Sequence, residues 1–502
     1  MLVIELDREN FEYDVQAFVK AFYPEEQVEV LLPESRADKR ERLSEEVKIR
    51  VVTGERQAEV FISPGLCSEE ALAVPDEEST GEPDTFLCFR WKPEEGKSYK
   101  EGFKEFFYRT LSEITGRQLP WGMLTGIRPT KIAYGMLEEG RSRREIVEHY
   151  RGSYFVSSEK AELAAAIAER ERRLLADVHY EDGYSLYIGI PFCPTTCLYC
   201  SFTSYPIAGY RKKVDGYLDC LLKEAGDAAE QLQGKILDSV YIGGGTPTTL
   251  EPEQLDRLLS GLKGLFDFGR VQEFTVEAGR ADSITEEKLK TLYRHGVTRI
   301  SVNPQTMKQE TLELIGRRAS VEQVEEAYAM ARQAGFDNIN MDIILGLPGE
   351  SPEDVQRTID RLTELSPDSL TVHSLAVKRA SGLNRWIQEN GTSMLRNTDE
   401  TMAIAAEGAK RLGMEPYYLY RQKNMSGNFE NVGYAAEGKY GLYNILIMEE
   451  VQSIVALGAG SISKRVYEGG RIERSENVKD VALYMEKIDE MIERKRRLLG
   501  DF

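Results

Sequence analysis

Histidine is scarce in this chain, with four residues in 502, and cysteine is little commoner at six. The histidines (His149, His179, His295 and His373) show no ligand spacing, so an imidazole-built zinc site is a poor reading. Long apolar runs are missing as well. No window approaches the roughly eighteen apolar residues that a membrane-spanning helix needs. The opening "MLVIELDREN" has no basic segment before its apolar residues, which argues against a secretory signal. The expectation is a cytoplasmic protein whose thiols stay reduced, so a disulfide framework poorly explains its cysteines. Basic charge is the third shortage. Lys plus Arg is 64 against 84 for Asp plus Glu, a net charge of -20. Nucleic acid and anionic lipid both need a basic footprint, so neither nucleic acid nor membrane is an expected partner. A small acidic substrate is not excluded, because it needs only a local basic pocket.

What is present is organised. The length suits two or three domains. Up to about residue 110, strand-like runs such as "LVIEL", "VKIRVV" and "AEVFIS" alternate with helical patches, which reads as a small α/β domain. A helical stretch follows, with a strongly amphipathic segment at 159–178. From about 181, six apolar runs recur: "YSLYIGI", "DSVYIGG", "QEFTVEA", "TRISVNP", "NINMDIIL" and "DSLTVHSL". Helical segments at 211–233, 253–266, 285–295, 321–334 and 352–365 lie between them. Strands alternating with crossover helices make a parallel sheet, here a barrel or partial barrel whose site belongs at the C-terminal strand ends. The expected division is 1–180, an N-terminal α/β domain with a helical linker; 181–392, the partial (β/α)6 barrel; and 393–502, a small mixed C-terminal domain.

Half of the cysteines crowd into one stretch, "IPFCPTTCLYCSF" at 190–202. Cys193, Cys197 and Cys200 follow the first barrel strand on one tight loop. A [4Fe–4S] cluster normally takes four thiolates, so three leave one iron open to an exogenous ligand. A zinc half-site or a redox pair is the blander alternative. Cys220 in "GYLDCLLKEA" reads as a helix residue, and Cys67 and Cys88 as small core residues.

The C-x3-C-x2-C spacing, with Tyr199 between the last two cysteines, resembles the signature of the radical S-adenosylmethionine (SAM) superfamily. "GGGTPT" (243–248) and "DIILGLPGES" (342–351) resemble the branch that holds oxygen-independent coproporphyrinogen III oxidase. "LTGIRPTKIAYG" (124–135) resembles its oxidase-like subgroup with an extra N-terminal domain, and the likeness runs over about 181–465. The oxidase's own N-terminal segment is not recognisable in residues 1–180. The resemblance implies a radical SAM partial barrel with a [4Fe–4S] cluster on Cys193, Cys197 and Cys200, and SAM on its open iron. It places Tyr187, Gly244, Glu277 and Ile462 around the iron-bound SAM. Tyr199, Gly245, Thr246, Gln305, Arg317, Asp342 and Ala376 match a second SAM position.

Residue chemistry bears on these positions independently. Glycines let backbone approach a ligand closely. Tyr199 either packs on the adenine or is a core aromatic. Glu277 suits an ammonium or a ribose. Arg317 either pairs with a carboxylate or is a solvated surface charge. In "YLYRQKNMSGNFENVGY" (418–434), Arg421 and Lys423 either meet a tetrapyrrole carboxylate or sit on a surface hairpin. The activity that the family resemblance implies is decarboxylation of two coproporphyrinogen III propionates to vinyl groups, giving protoporphyrinogen IX in anaerobic haem synthesis, with an external reductant for the cluster. The rival readings are a haem chaperone and a tetrapyrrole-acting methyltransferase. The isolated strand histidine His373 offers no clear axial ligand, which weighs against the chaperone.

Overall fold

Alternating apolar and polar residues near the N-terminus fold into a sheet covered on one face. In this computed structural model the described residues are 1–54, 57–68, 86–93, 96–126, 128–378, 381–391, 394–422 and 429–500. Strands β1 (Leu2–Leu6), β2 (Val28–Leu31), β3 (Val47–Thr53), β4 (Ala58–Ile62) and β5 (Leu87–Trp91) stand in the order β2-β1-β3-β4-β5. β3 shows the principle: Ile49, Val51 and Thr53 are buried while Arg50 and Val52 between them are exposed. The buried face packs with Phe11, Phe18 and Phe22 around helix Glu12–Phe22, and with Phe103, Phe107 and Tyr108 of helix Tyr99–Thr115.

The later apolar runs are buried on both faces, as strands of a helix-covered parallel sheet must be. The strands are β6 (Gly183–Ile190), β7 (Phe192–Cys193), β8 (Tyr205–Pro206), β9 (Ile236–Gly244), β10 (Glu273–Gly279), β11 (Arg299–Val302), β12 (Ile339–Leu345) and β13 (Ser369–Ser374). β6, β9, β10, β11, β12 and β13 pair in parallel, in that order, which is the partial (β/α)6 barrel. Their crossover helices are Val214–Gln231, Pro252–Leu265, Glu286–Arg294, Val321–Gln333 and Pro352–Leu365. Each apolar stripe explains its helix: in Pro352–Leu365, Val355, Ile359 and Leu362 are buried at helical spacing.

The remaining strands are β14 (Glu415–Tyr420), β15 (Asn431–Ala435), β16 (Ser453–Leu457), β17 (Ile462–Val466) and β18 (Ile472–Glu476). β15 joins β13 antiparallel, and β16 joins β6 in parallel, so the eleven-stranded sheet is extended at both edges. The chain groups into two compact units, Met1–Ala165 with Arg421–Asn428 and Ala166–Tyr420 with Phe429–Phe502. That differs from the division read from the sequence. Strands expected in a separate 393–502 domain hydrogen-bond to the barrel, because the open edges of β6 and β13 need partners. Among the described residues, no helix is long and apolar enough to cross a membrane.

A buried polar network braces this edge. The Lys495 ammonium stands 3.2 Å from Glu224 and donates to the Ala456 carbonyl and to Ser463. Glu224 in turn accepts from Gly458 N–H, Tyr484 and Asn477. All its partners together fix the turn at Gly458–Gly460, which lies against Gly189 and Thr203.

Candidate active site

The cysteine loop begins where β6 ends and is bracketed by the short pair β7 and β8. Its backbone is pinned from several sides. Leu198 N–H donates to the Ile315 carbonyl at 3.0 Å, and the Leu198 carbonyl accepts from Leu383 N–H at 2.8 Å. The Thr195 hydroxyl donates to the Gly316 carbonyl at 2.9 Å. Each sulfur has its own polar neighbour: Thr246 Oγ1 lies 3.4 Å from Cys193, Arg280 Nη1 3.7 Å from Cys197, and Ser204 Oγ 4.0 Å from Cys200. None of the three is in a disulfide. Burial pushes the Cys193 and Cys200 thiols up. Among the described residues, no group of three His, Cys, Asp or Glu side chains is close enough to hold a single metal ion.

The glycine triplet ends β9. The expectation was open backbone for a ligand, yet protein atoms occupy much of the side-chain space. A Cβ on Gly243 would come within 2.8 Å of the Glu277 carboxyl carbon, and one on Gly245 within 2.6 Å of the Phe192 carbonyl. Gly244 has φ of +101°, and a Cβ there would stand 2.9 Å from the Tyr187 hydroxyl. The missing side chains thus let Glu277, Tyr187 and the cysteine loop close onto one strand end. Gly245 and Thr246 donate to the Ile190 and Phe192 carbonyls, tying that strand end to the loop.

Glu277 and Asp342 lie on β10 and β12. Glu277 accepts from the Tyr241 hydroxyl at 2.5 Å. Burial pushes its carboxyl up to about 7; the Tyr241 bond opposes this, and the charge of Asp342 adds to it. Burial would raise Asp342 too, but His373 and bonds from Asn340 and Thr371 hold it below its ordinary value. His373 stands 3.7 Å from Asp342 through Nε2 and 3.4 Å from the Tyr420 hydroxyl through Nδ1. Gln305 is buried with φ of +70°, and its backbone bonds on both sides of Ile343, to Asp342 and Ile344.

Arg317 is half-buried rather than on a solvated face. It donates to the Asn303 carbonyl and, at 3.3 Å, to the Tyr199 hydroxyl, while its Nε is buried without a partner. Burial works against its charge, but Tyr199 and Cys197 more than restore it, so its proton is held more tightly than usual. Tyr199 packs with the apolar cluster of Leu312, Ile315, Ile344 and Leu375. Ala376, two residues beyond β13, is half-buried, and Ile462, the first residue of β17, is exposed.

Several residues escaped the sequence reading. Tyr241 shares a strand face with Gly243 by the two-residue period of a strand, the one signal that could have found it. Its ring forms a mutually packed triad with those of Tyr187 and Tyr443, at 6.2 and 4.5 Å between centroids, the latter two being 6.2 Å apart. Arg280 carried no local signal. Arg421, considered for a tetrapyrrole carboxylate, belongs instead to the N-terminal unit, donating to the Leu124 carbonyl and facing the Trp121 ring. Lys423 lies outside the described residues.

Comparison with known proteins agrees with this layout. Residues 187–362 match the family model "Radical SAM superfamily". The chain is 38% identical over 461 residues to the "Oxygen-independent coproporphyrinogen-III oxidase-like protein HemZ" of Bacillus subtilis, covering 89% of this chain and 91% of that one. It is 31% identical over 278 residues to the "Heme chaperone HemW" of Lactococcus lactis, covering 55% and 68%. Among solved structures, coproporphyrinogen III oxidase (HemN) from Escherichia coli, a radical SAM enzyme, matches with a TM-score of 0.51 at 24% identity, over 64% of this chain and 72% of that one. The chain belongs to the radical SAM superfamily, with a [4Fe–4S] cluster and SAM as its cofactors, and within it to the oxygen-independent coproporphyrinogen III oxidase branch.

Proposed function

We propose that the chain decarboxylates coproporphyrinogen III to protoporphyrinogen IX, converting two propionates to vinyl groups. The observation that carries this reading is a three-thiol loop whose Tyr199 accepts from Arg317, on a parallel sheet that also carries Glu277 and Asp342 on β10 and β12 and the buried Gln305 paired beside β12. Cys193, Cys197 and Cys200 would hold the cluster. Separate supports for three uncrosslinked sulfurs suit a multi-iron cluster, which takes its thiolates at different corners. The bound cofactors supply a deoxyadenosyl radical that takes hydrogen from the β-carbon of a propionate.

The protein's own groups bind, orient and hold charge. Glu277, oriented by Tyr241, would accept from the amino group or a ribose hydroxyl of the first SAM, with Tyr187, Gly244 and Ile462 as the other residues assigned to it. A second SAM would be held by Tyr199, Gly245, Thr246, Gln305, Arg317, Asp342 and Ala376. There the unpartnered Nε of Arg317 offers a donor for a carboxylate. Loss of carbon dioxide from the substrate would leave one electron for an external acceptor, and the cluster would need an external reductant.

The relative described as a heme chaperone makes haem transfer the second reading. The polar neighbours of both His373 ring nitrogens, Asp342 at 3.7 Å and Tyr420 at 3.4 Å, support the enzyme over haem ligation at this histidine. Anaerobic incubation with coproporphyrinogen III, SAM and a reductant, followed by mass spectrometry, should show mono- and then divinyl product. Stable haem binding with no vinyl product would overturn the proposal.

A further inference from the structure

Cys197 is the one cysteine of the three that is buried, and Arg280 lies against it. The arginine follows β10 directly and is itself 4% exposed. Its Nε and Nη2 fork onto the two oxygens of Asp282 at 3.0 and 2.7 Å. That fork fixes the guanidinium plane and compensates its charge, leaving Nη1 aimed at the cysteine loop. There Nη1 meets the Thr195 carbonyl and hydroxyl, each at 2.9 Å, and the Cys197 sulfur at 3.7 Å. The Arg280 carbonyl accepts from Ser283 N–H and Oγ, which anchors the arginine's backbone. The guanidinium, paired with Asp282, thus directs its remaining nitrogen onto the backbone and sulfur of the cysteine loop.

We propose that Arg280, oriented by Asp282, is a positioning residue that fixes Cys197 and sets the reduction potential of the cluster it ligates. This rests on the assignment of the three cysteines to the cluster. A donor on a cluster thiolate stabilises the reduced, more negative state and so raises the potential. Lysine keeps the charge but cannot hold Asp282 with a fork while reaching three acceptors.

The test is redox titration of anaerobically reconstituted protein, read by electron paramagnetic resonance and beside iron content. Arg280→Gln should still take up iron, with the ratio of reduced to oxidised cluster at a fixed poise falling about tenfold, equal to a downward shift of about 59 mV for one electron. Arg280→Lys should fall between that variant and the wild type. If Arg280→Gln does not fold, Arg280→Lys decides alone. A potential equal to the wild type in whichever variant folds would overturn the proposal, whatever happened to melting temperature. Cys197→Ala controls the underlying assignment separately: if it reconstitutes the wild-type cluster signal, the assignment fails and this proposal with it.

Discussion

In the proposed site, the half-buried carboxyl of Glu277 would couple recognition to stability. The N–H groups of a SAM amino group donate to the carboxylate and are not accepted as well by the neutral acid. With the free carboxyl near 7, SAM affinity should rise about tenfold per pH unit below that value and level off above it. Glu277→Gln should weaken binding at pH 8 and flatten the profile, as equilibrium dialysis at pH 6, 7 and 8 would show. Stability moves the other way. The folded carboxyl binds its proton more tightly than the unfolded one, so its unfavourable contribution grows as pH rises from about 4.5 to about 7. Above that window Glu277→Gln should be more stable than wild type, by about 1–3 kcal/mol, in thermal melts at pH 8. Arg317→Met should leave iron content unchanged while lowering the number of SAM molecules bound per chain from two to one. A wild-type count of one would remove the second position.

Elements differ in how far they could be read from sequence. The β/α alternation and the cysteine loop were legible because their signals are local: a run, a helical period, a spacing. The glycine triplet was legible as a feature but not in its cause, since Gly243 and Gly245 face Glu277 and the Phe192 carbonyl, both distant in sequence. Arg280 meets Thr195 across 85 residues, and no local pattern announces such a pair. The strand-end contact yields a prediction. Gly245→Ala forces a methyl against the Ile190 and Phe192 carbonyls, at 2.7 and 2.6 Å. It should cost about 2–4 kcal/mol and lower iron per chain, measured by melting and metal analysis. Unchanged iron loading would show that the loop tolerates displacement from β9.

At the scale of the whole chain, the edges of the barrel were the least legible. β16 pairs with β6 across hundreds of residues, and its neighbouring turn is held by the buried Lys495–Glu224 pair. Removing one partner strands the other charge. Lys495→Met alone should therefore cost about 3–5 kcal/mol in chemical unfolding, and the Lys495→Met/Glu224→Leu double variant less than the single one. The central claim is that this framework couples radical formation to decarboxylation. The most direct measurement is the ratio of 5'-deoxyadenosine formed to carboxyl groups lost, during anaerobic turnover of coproporphyrinogen III. The account predicts one nucleoside for each vinyl group, and no product of either kind from Cys197→Ala. Deoxyadenosine accumulating with every carboxyl intact, or haem retained with neither product, would contradict it.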